Sequence, residues 1–239
     1  MLDALKQKCL MATPSKWDRC TQGLTLRKIF KILGMIKQKI NFVKAAIWLL
    51  ALMPLVRLIW LGFHEDLGAN PVEFVERSTG LWALIILLIT LSLTPARLIT
   101  GQLWVIQLRR LTGLFMFFYA CLHITTYVWL DFGFVWADIV KDIAKHPRIL
   151  VGFSAFMLAI PLAATSNSYM IKRLKTNWKK LHQAVYMLAI LAVVHFLWLV
   201  KKDVTEPLYY AIALALLFAI RIYYKQKTSK KPQLSTKPA

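Results

Sequence analysis

Six stretches of apolar residues, each about 20 residues long and so able to cross a bilayer as a helix, decide what this chain can fold into. They run roughly over 45–63, 80–99, 111–130, 149–166, 181–200 and 206–224. Inside hydrocarbon every backbone N–H and C=O must find a partner within the chain, so segments of this length cross as helices. The expected fold class is therefore all-α, a polytopic membrane bundle of six transmembrane helices. The chain is 58% hydrophobic yet carries a formal net charge of +20. Charge of that size on so apolar a chain belongs in the connections and tails.

The connections bear this out. Residues 1–44 hold ten Lys/Arg against two acids, 95–110 three against none, 167–180 five against none, and the tail from Arg221 six against none. The intervening loops, 64–79, 131–148 and 201–206, together hold six basic and nine acidic residues. An excess of Lys and Arg marks the cytoplasmic loops of membrane proteins, so both termini are expected in the cytoplasm. The basic residues alternate between loops and form no single stripe, which excludes a nucleic-acid partner. Three parts are expected: a basic extension over 1–44, a six-helix membrane domain over 45–224, and a basic tail over 225–239. No length remains for a soluble nucleotide-binding domain.

The extension has no signal-peptide pattern, since its first long apolar run begins only near Ala45. Residues 24–40 place Ile29, Leu33, Ile36 and Ile40 along one helical face. Three readings stand for this region: an amphipathic helix on the inner leaflet, a basic tail, or a translation start at Met35. Arg57 falls inside the first span and is expected to snorkel toward the outer interface, the alternative being a partner inside the bundle. Cys9, Cys20 and Cys121 form no CxxC or CxxCH pattern, so neither a disulfide framework nor covalent haem attachment is implied.

Histidines carry the chemistry. His64 and His146 fall in outer loops and read as solvated surface residues. His123, His182 and His195 fall inside the third and fifth spans, where an ionisable side chain is costly and usually functional. Those two spans run parallel. His123 lies thirteen residues after Arg110 and His195 fifteen after Lys180, which puts the two imidazoles at similar depth, nearer the outer side. If the spans are neighbours, the simplest occupant between them is a b-type haem with two axial histidines. The other reading is hydrogen bonding between helices. His182 lies deeper, about 20 Å from His195 along the axis at 1.5 Å per residue, at a depth suited to a second redox centre. Thirteen residues also leave His182 and His195 about 140° apart around an ideal helix. Either the helix widens locally in π fashion, or the two histidines address different neighbours.

Arg109 and Arg110 stand at the inner end of the third span, facing the basic stretch 172–180. They read as holders of a flavin phosphate or a haem propionate, or as plain topology signals. Trp104, Trp129, Trp178 and Trp198 lie near span ends and read as interfacial anchors.

The stretches LGANPVEFVERSTG (67–80), LTPAR (93–97), RRLTGL (109–114), HITTY (123–127) and WKKLHQAVYMLAILAVVHFLWLVK (178–201) resemble the MsrQ (YedZ) family over about Val43 to Tyr224. That family belongs to the ferric-reductase-like transmembrane group alongside the NADPH oxidases. The resemblance implies a six-helix bundle that binds haem b (one or two) and FMN. His123, His182 and His195 match the haem-ligand positions, and His64 matches an outer-loop histidine without an assigned role. The oxidases carry two histidines on the third helix, whereas this chain has only His123 there. The family implies an electron conduit in the bacterial inner membrane. Reducing equivalents arrive from the quinone pool or a cytosolic flavin reductase. They leave to the periplasmic molybdopterin subunit MsrP, which reduces methionine sulfoxide, so the membrane subunit has no sulfoxide chemistry of its own. Competing readings are a self-standing transmembrane ferric or quinone reductase, and a non-redox transporter or scaffold. Against the transporter, the spans show no Gly/Pro-interrupted pair and no central acidic residue. Any FMN must be held without a glycine-rich loop.

Overall fold

A computed structural model describes the backbone of residues 14–200 and 204–229 and the side chains of 38–200 and 204–227. Among these residues the elements are α1 (Pro14–Phe63), α2 (Pro71–Thr100), a 3-10 turn (Leu103–Gln107), α3 (Leu108–Thr126), a π-helical turn (Tyr127–Asp131), α4 (Trp136–Lys145), α5 (Pro147–Ala164), α6 (Ser168–His182), α7 (Ala184–Leu199) and α8 (Thr205–Ser229). Six stretches are long and apolar enough to cross a membrane: Gln38–Phe63, Pro71–Thr100, Leu103–Asp131, Pro147–Ala164, Ser168–Leu199 and Thr205–Lys227. The six-span helical bundle is thus the fold. The expected amphipathic face over 24–40 lies mostly, and the end of the basic tail wholly, outside the described side chains.

Helix ends depart from the apolar windows because caps set them. The second span begins at Pro71, well before Gly80. Asn70 caps it by accepting from Glu73 N at 3.4 Å, with Pro71 in the first turn and Glu73 against the positive end of the helix dipole. It closes on Gly101, whose φ of 70° is the left-handed conformation that glycine adopts without strain. Residues 167–180, expected as a loop, form most of α6. The Asn167 side chain caps that helix by accepting from Met170 N at 2.7 Å. A kink at Lys175 (φ 46°) divides it.

The chain divides into two compact units, 1–50 and 51–239. The core and both cavities described below belong to the second. There α2 packs most extensively on α3, and α5 on α7, so the centre is two helical hairpins; α8 lies against α2 and α7. Leu84, Leu87 and Leu91 of α2, Phe115, Met116 and Tyr119 of α3, Leu162 of α5, Leu188 of α7 and Leu214 of α8 fill the middle. Lipid tails are as apolar as leucine, so what holds such helices together is close packing, which small residues permit. Ala159 and Ala189, 2% and 0% exposed, supply it on α5 and α7.

Three buried hydroxyls are satisfied on their own helices. Thr90 donates to Ile86 O at 2.8 Å, Thr112 to Leu108 O at 3.2 Å and Thr165 to Pro161 O at 2.7 Å. Tyr119 Oη donates to Ala51 O at 2.6 Å, a link from α3 to α1. Met53, Val56 and Trp60 of α1, Met187 of α7 and Leu216 of α8 are exposed, the expected state of side chains that face lipid. Arg57 is also exposed, near the end of α1, so it stands on the outer surface of the helix and not in the bundle. Arg221 is not part of the tail. It sits half-buried within α8, where its Nη2 donates to Leu91 O.

Among the residues whose side chains are described, the carboxylates, from Glu65 to Glu206, lie at one end of the bundle, reached by the α1–α2, α3–α5 and α7–α8 connections. Arg97, Arg109, Arg110, Lys179 and Lys180 lie at the other. The two are called the acidic and basic ends.

Candidate functional site

Two cavities lie one above the other between the hairpins. The first, about 450 Å³, opens toward the acidic end, and the second, about 490 Å³, toward the basic end. Leu87, Met116 and Ala159 line both and so form the partition between them.

His123 of α3 and His195 of α7 face each other across the acidic-end cavity, with ring centroids 6.4 Å apart and ring planes at 71°. The extensive helix packing lies within each hairpin and not between these two helices, so their backbones stand apart and only the rings approach. Each imidazole is fixed by a carbonyl of its own hairpin partner. His123 Nδ1 donates to Glu76 O at 2.9 Å and His195 Nδ1 donates to Arg148 O at 2.7 Å. A carbonyl only accepts, so in both rings the proton sits on Nδ1 and the lone pair on Nε2. That is the tautomer a metal ligand needs, with the orienting bond that metal-bound histidines habitually make.

Two glycines make room for the rings. A Cβ on Gly80 would stand 3.0 Å from His123 Cε1 and Nδ1, and one on Gly152 would stand 2.7 Å from the same atoms of His195. Only glycine lets the α2 and α5 backbones come so close. The hairpins are alike in detail. The carbonyl-to-histidine separation is 47 residues in both, and each glycine follows its carbonyl residue by one helical turn. Moving along the chain from His123 to His195 carries Glu76 onto Arg148, Gly80 onto Gly152 and Arg110 onto His182. The basic-end counterpart of His182 is thus an arginine.

The cavity fits a haem. Two metal–imidazole bonds of about 2 Å each, with the ring radii, separate ring centroids by roughly 6 Å, as here. Two imidazoles complete a six-coordinate iron when a macrocycle supplies the other four donors. Leu84, Leu87, Phe153, Phe156 and Leu188 give apolar walls, and Arg77, Arg148 and Tyr127 a polar rim. The volume lies within the roughly 300–1,000 Å³ of cofactor pockets. At the rim, Asp142 accepts from Tyr127 Oη and His146 Nδ1, each at 2.8 Å. His146 is therefore engaged locally, as is His64, which donates to Trp60 O at 2.9 Å and stacks on that ring.

The basic-end cavity is built otherwise. Arg109, Arg110 and Lys179 line it beside His182, Trp178, Gln183 and Tyr186. The Thr165 hydroxyl donates to Pro161 O, so its oxygen accepts from His182 Nε2–H at 3.1 Å. Trp178 stacks on His182 at 4.0 Å and donates Nε1–H to Thr165 O at 3.0 Å. Trp178 is therefore a wall of this site and not an interfacial anchor, whereas Trp129 and Trp198 are exposed near their span ends. The spacing of His182 and His195 also resolves. The helix does not widen between them; it breaks at Gln183, where i→i+3 bonds (Gln183 N to Lys180 O, Tyr186 N to Gln183 O) replace the ladder. The two histidines address different neighbours.

Residues 79–193 match the family model described as ferric reductase like transmembrane component. Over 197 residues the chain is 45% identical to the protein-methionine-sulfoxide reductase heme-binding subunit MsrQ of Xanthomonas campestris pv. campestris, covering 79% of this chain and 90% of that protein. The subunits of the same name from Ralstonia nicotianae and Herminiimonas arsenicoxydans are 46% and 43% identical, over 78% and 82% of this chain and 88% and 92% of theirs. The chain belongs to the MsrQ family. Within it, the hairpin glycines, the tethering carbonyls and the Thr165–Trp178 pair are the site parts that reading along the sequence overlooked. The one linear signal for them is the Gly-to-His spacing repeated in the two halves. No solved structure matches the chain.

Proposed function

We propose that this chain is the haem-binding, electron-transfer membrane subunit of a protein-methionine-sulfoxide reductase system, with His123 and His195 as the residues that would hold a haem b. The reading rests chiefly on one observation: two Nδ1-tethered imidazoles facing each other at 6.4 Å across an apolar cavity. When bound there, a haem supplies reversible one-electron transfer. The chain's own part is to hold both Nε2 lone pairs in place through Glu76 O and Arg148 O, to clear the rings past Gly80 and Gly152, and to keep water from the ring faces with leucine and phenylalanine. A preorganised site needs little rearrangement when its charge changes, and such a site suits electron exchange.

The basic-end cavity takes the second redox group, FMN or a second haem b, with Arg109 and Arg110 against its anionic arm and His182 beside its ring. The basic end faces the cytoplasm of a bacterial inner membrane, with both termini there, by the excess of Lys and Arg. Electrons then enter at that end from the quinone pool or a cytosolic flavin reductase. They leave at the acidic end to the periplasmic molybdopterin subunit MsrP, where the sulfoxide chemistry takes place.

Purified protein should show a Soret band and dithionite-sensitive α and β bands. His123→Ala and His195→Ala should each abolish the acidic-end haem, while His182→Ala spares it. Wild-type protein that stays colourless after reconstitution with haem would refute the reading.

A further inference from the structure

The connection between the third and fourth spans folds into α4 (Trp136–Lys145), which touches the functional site only through Asp142. At 1.5 Å per residue α4 is about 15 Å long, half the hydrocarbon thickness, so it does not cross the bilayer. Nor can it stand far from the bilayer surface. The third span ends at Asp131 and the fourth starts at Pro147, so residues 132–135 precede α4 and His146 alone follows it. The helix therefore lies at the membrane boundary of the acidic end, packed on α5.

Around its axis α4 has three sectors. Ile139, 4% exposed, points into the bundle. At about 100° per residue, Trp136 and Val140 stand roughly 60° and 100° to one side of Ile139, and both are 65% exposed. On the other side Asp138, Lys145 and Lys141 stand about 100°, 120° and 160° away, all exposed. Packing on the bundle accounts for Ile139 and leaves the Trp136–Val140 flank uncovered. One sector to protein, one apolar and one charged is the division expected of a helix lying in the membrane interface, between acyl chains and water.

The apolar flank also continues a lipid-facing surface. Phe134 and Val135 lead into it exposed, Trp129 and Leu130 close the third span exposed, and Leu150 stands exposed in the first turns of the fourth. Trp129 and Trp198 mark the level of the span ends here, where tryptophan gathers in membrane proteins.

We infer that α4 is an interfacial helix whose Trp136–Val140 flank lies among the acyl chains of the leaflet at the acidic end. Its charged flank mixes Asp138 with Lys141 and Lys145, so the helix is held by the apolar boundary and not by headgroups of one charge. Asp142 on the same helix holds Tyr127 and His146 at the cavity rim. Lipid on one flank and α5 on another thus keep that rim in place, whichever cofactor fills the cavity.

The test reads which medium each flank meets. Full-length protein carrying Cys9→Ser, Cys20→Ser and Cys121→Ala is placed in lipid nanodiscs with one nitroxide at a time, on Trp136→Cys, Val140→Cys, Asp138→Cys, Lys141→Cys or Lys145→Cys. Power saturation measures accessibility to oxygen, which concentrates among acyl chains, and to a neutral nickel chelate, which stays in water. The ratio of oxygen to nickel accessibility should be several-fold higher at the first two positions than at the other three. Equal nickel accessibility at all five would place α4 in water. Shielding of the first two from both probes would place protein on the flank, a second copy or another partner. Either result overturns the assignment. A second measurement guards against a helix unseated by the loss of Trp136 itself: wild-type protein is photolysed in nanodiscs whose phospholipid carries a diazirine in its acyl chain. Carbene adducts should appear on Trp136 or Val140 and not on Lys141 or Lys145. Adducts on the lipid-facing Met187 and Leu216 with none on α4 would overturn the assignment.

Discussion

Replacing Gly152 by alanine adds one methyl group and aims it at His195. The new Cβ would stand 2.7 Å from Cε1 and Nδ1 and 3.0 Å from Cγ, so it meets the whole ring edge and not a movable tip. Carbon contacts become comfortable near about 3.5 Å, so the ring must retreat by roughly 0.8 Å. The Arg148 O tether, now 2.7 Å, then stretches to about 3.5 Å, the limit of a hydrogen bond. Nε2 is displaced by a similar amount, more than the ~0.5 Å a metal site tolerates, and loss of an orienting bond costs about 10–100-fold in metal affinity. At Gly80 the clash is milder, 3.0 Å to His123 Cε1 and Nδ1, a retreat of roughly 0.5 Å by the same measure. Gly62→Ala, whose Cβ would meet nothing closer than Leu67 Cδ1 at 3.8 Å, is the control. In helices alanine is otherwise favoured over glycine by about 0.5–1 kcal/mol, so the fold should not suffer. Haem per protein and the absorbance of the reduced protein should fall in the order wild type, Gly80→Ala, Gly152→Ala, with Gly62→Ala like wild type. Full haem and an unchanged spectrum in Gly152→Ala would show that His195 is not held as a ligand at this site.

Two further outcomes test the packing. Tyr119→Phe removes the bond to Ala51 O and should lower stability by about 1 kcal/mol, read as a lower midpoint in a thermal scan of the detergent-solubilised protein. Ala189→Leu, at a position with 0% exposure, overpacks the α7 side of the core and should cost about 1–3 kcal/mol; a midpoint equal to wild type would mean that α7 is not packed as described.

The six spans were legible because bilayer thickness imposes a length and composition that few other folds share. Their ends were not, since Asn70, Pro71 and Asn167 act through local capping that apolar windows ignore. Counting residues from basic helix ends put His123 and His195 at one depth, and the rings do meet. The same count could not see that Glu76, Gly80, Arg148 and Gly152 support them, because that support crosses between helices 47 residues apart. Treating the fifth span as an ideal helix left the relation of His182 to His195 open; the break at Gln183 is a local tightening that 3.6-residue periodicity does not register. Arg221 was misplaced for a related reason. Its charge counts toward topology wherever it points, and only Leu91 O, freed by Pro95, draws it inward.

The central claim is that His123 and His195 bind one iron from opposite sides. Electron paramagnetic resonance of the oxidised His182→Ala protein, reconstituted with one haem, tests it most directly. Two imidazoles with planes at 71° should give a low-spin, strongly anisotropic signal that His123→Ala and His195→Ala each convert to high spin or abolish. A high-spin signal in the His182→Ala parent, or a low-spin signal that survives the loss of either histidine, would contradict the account.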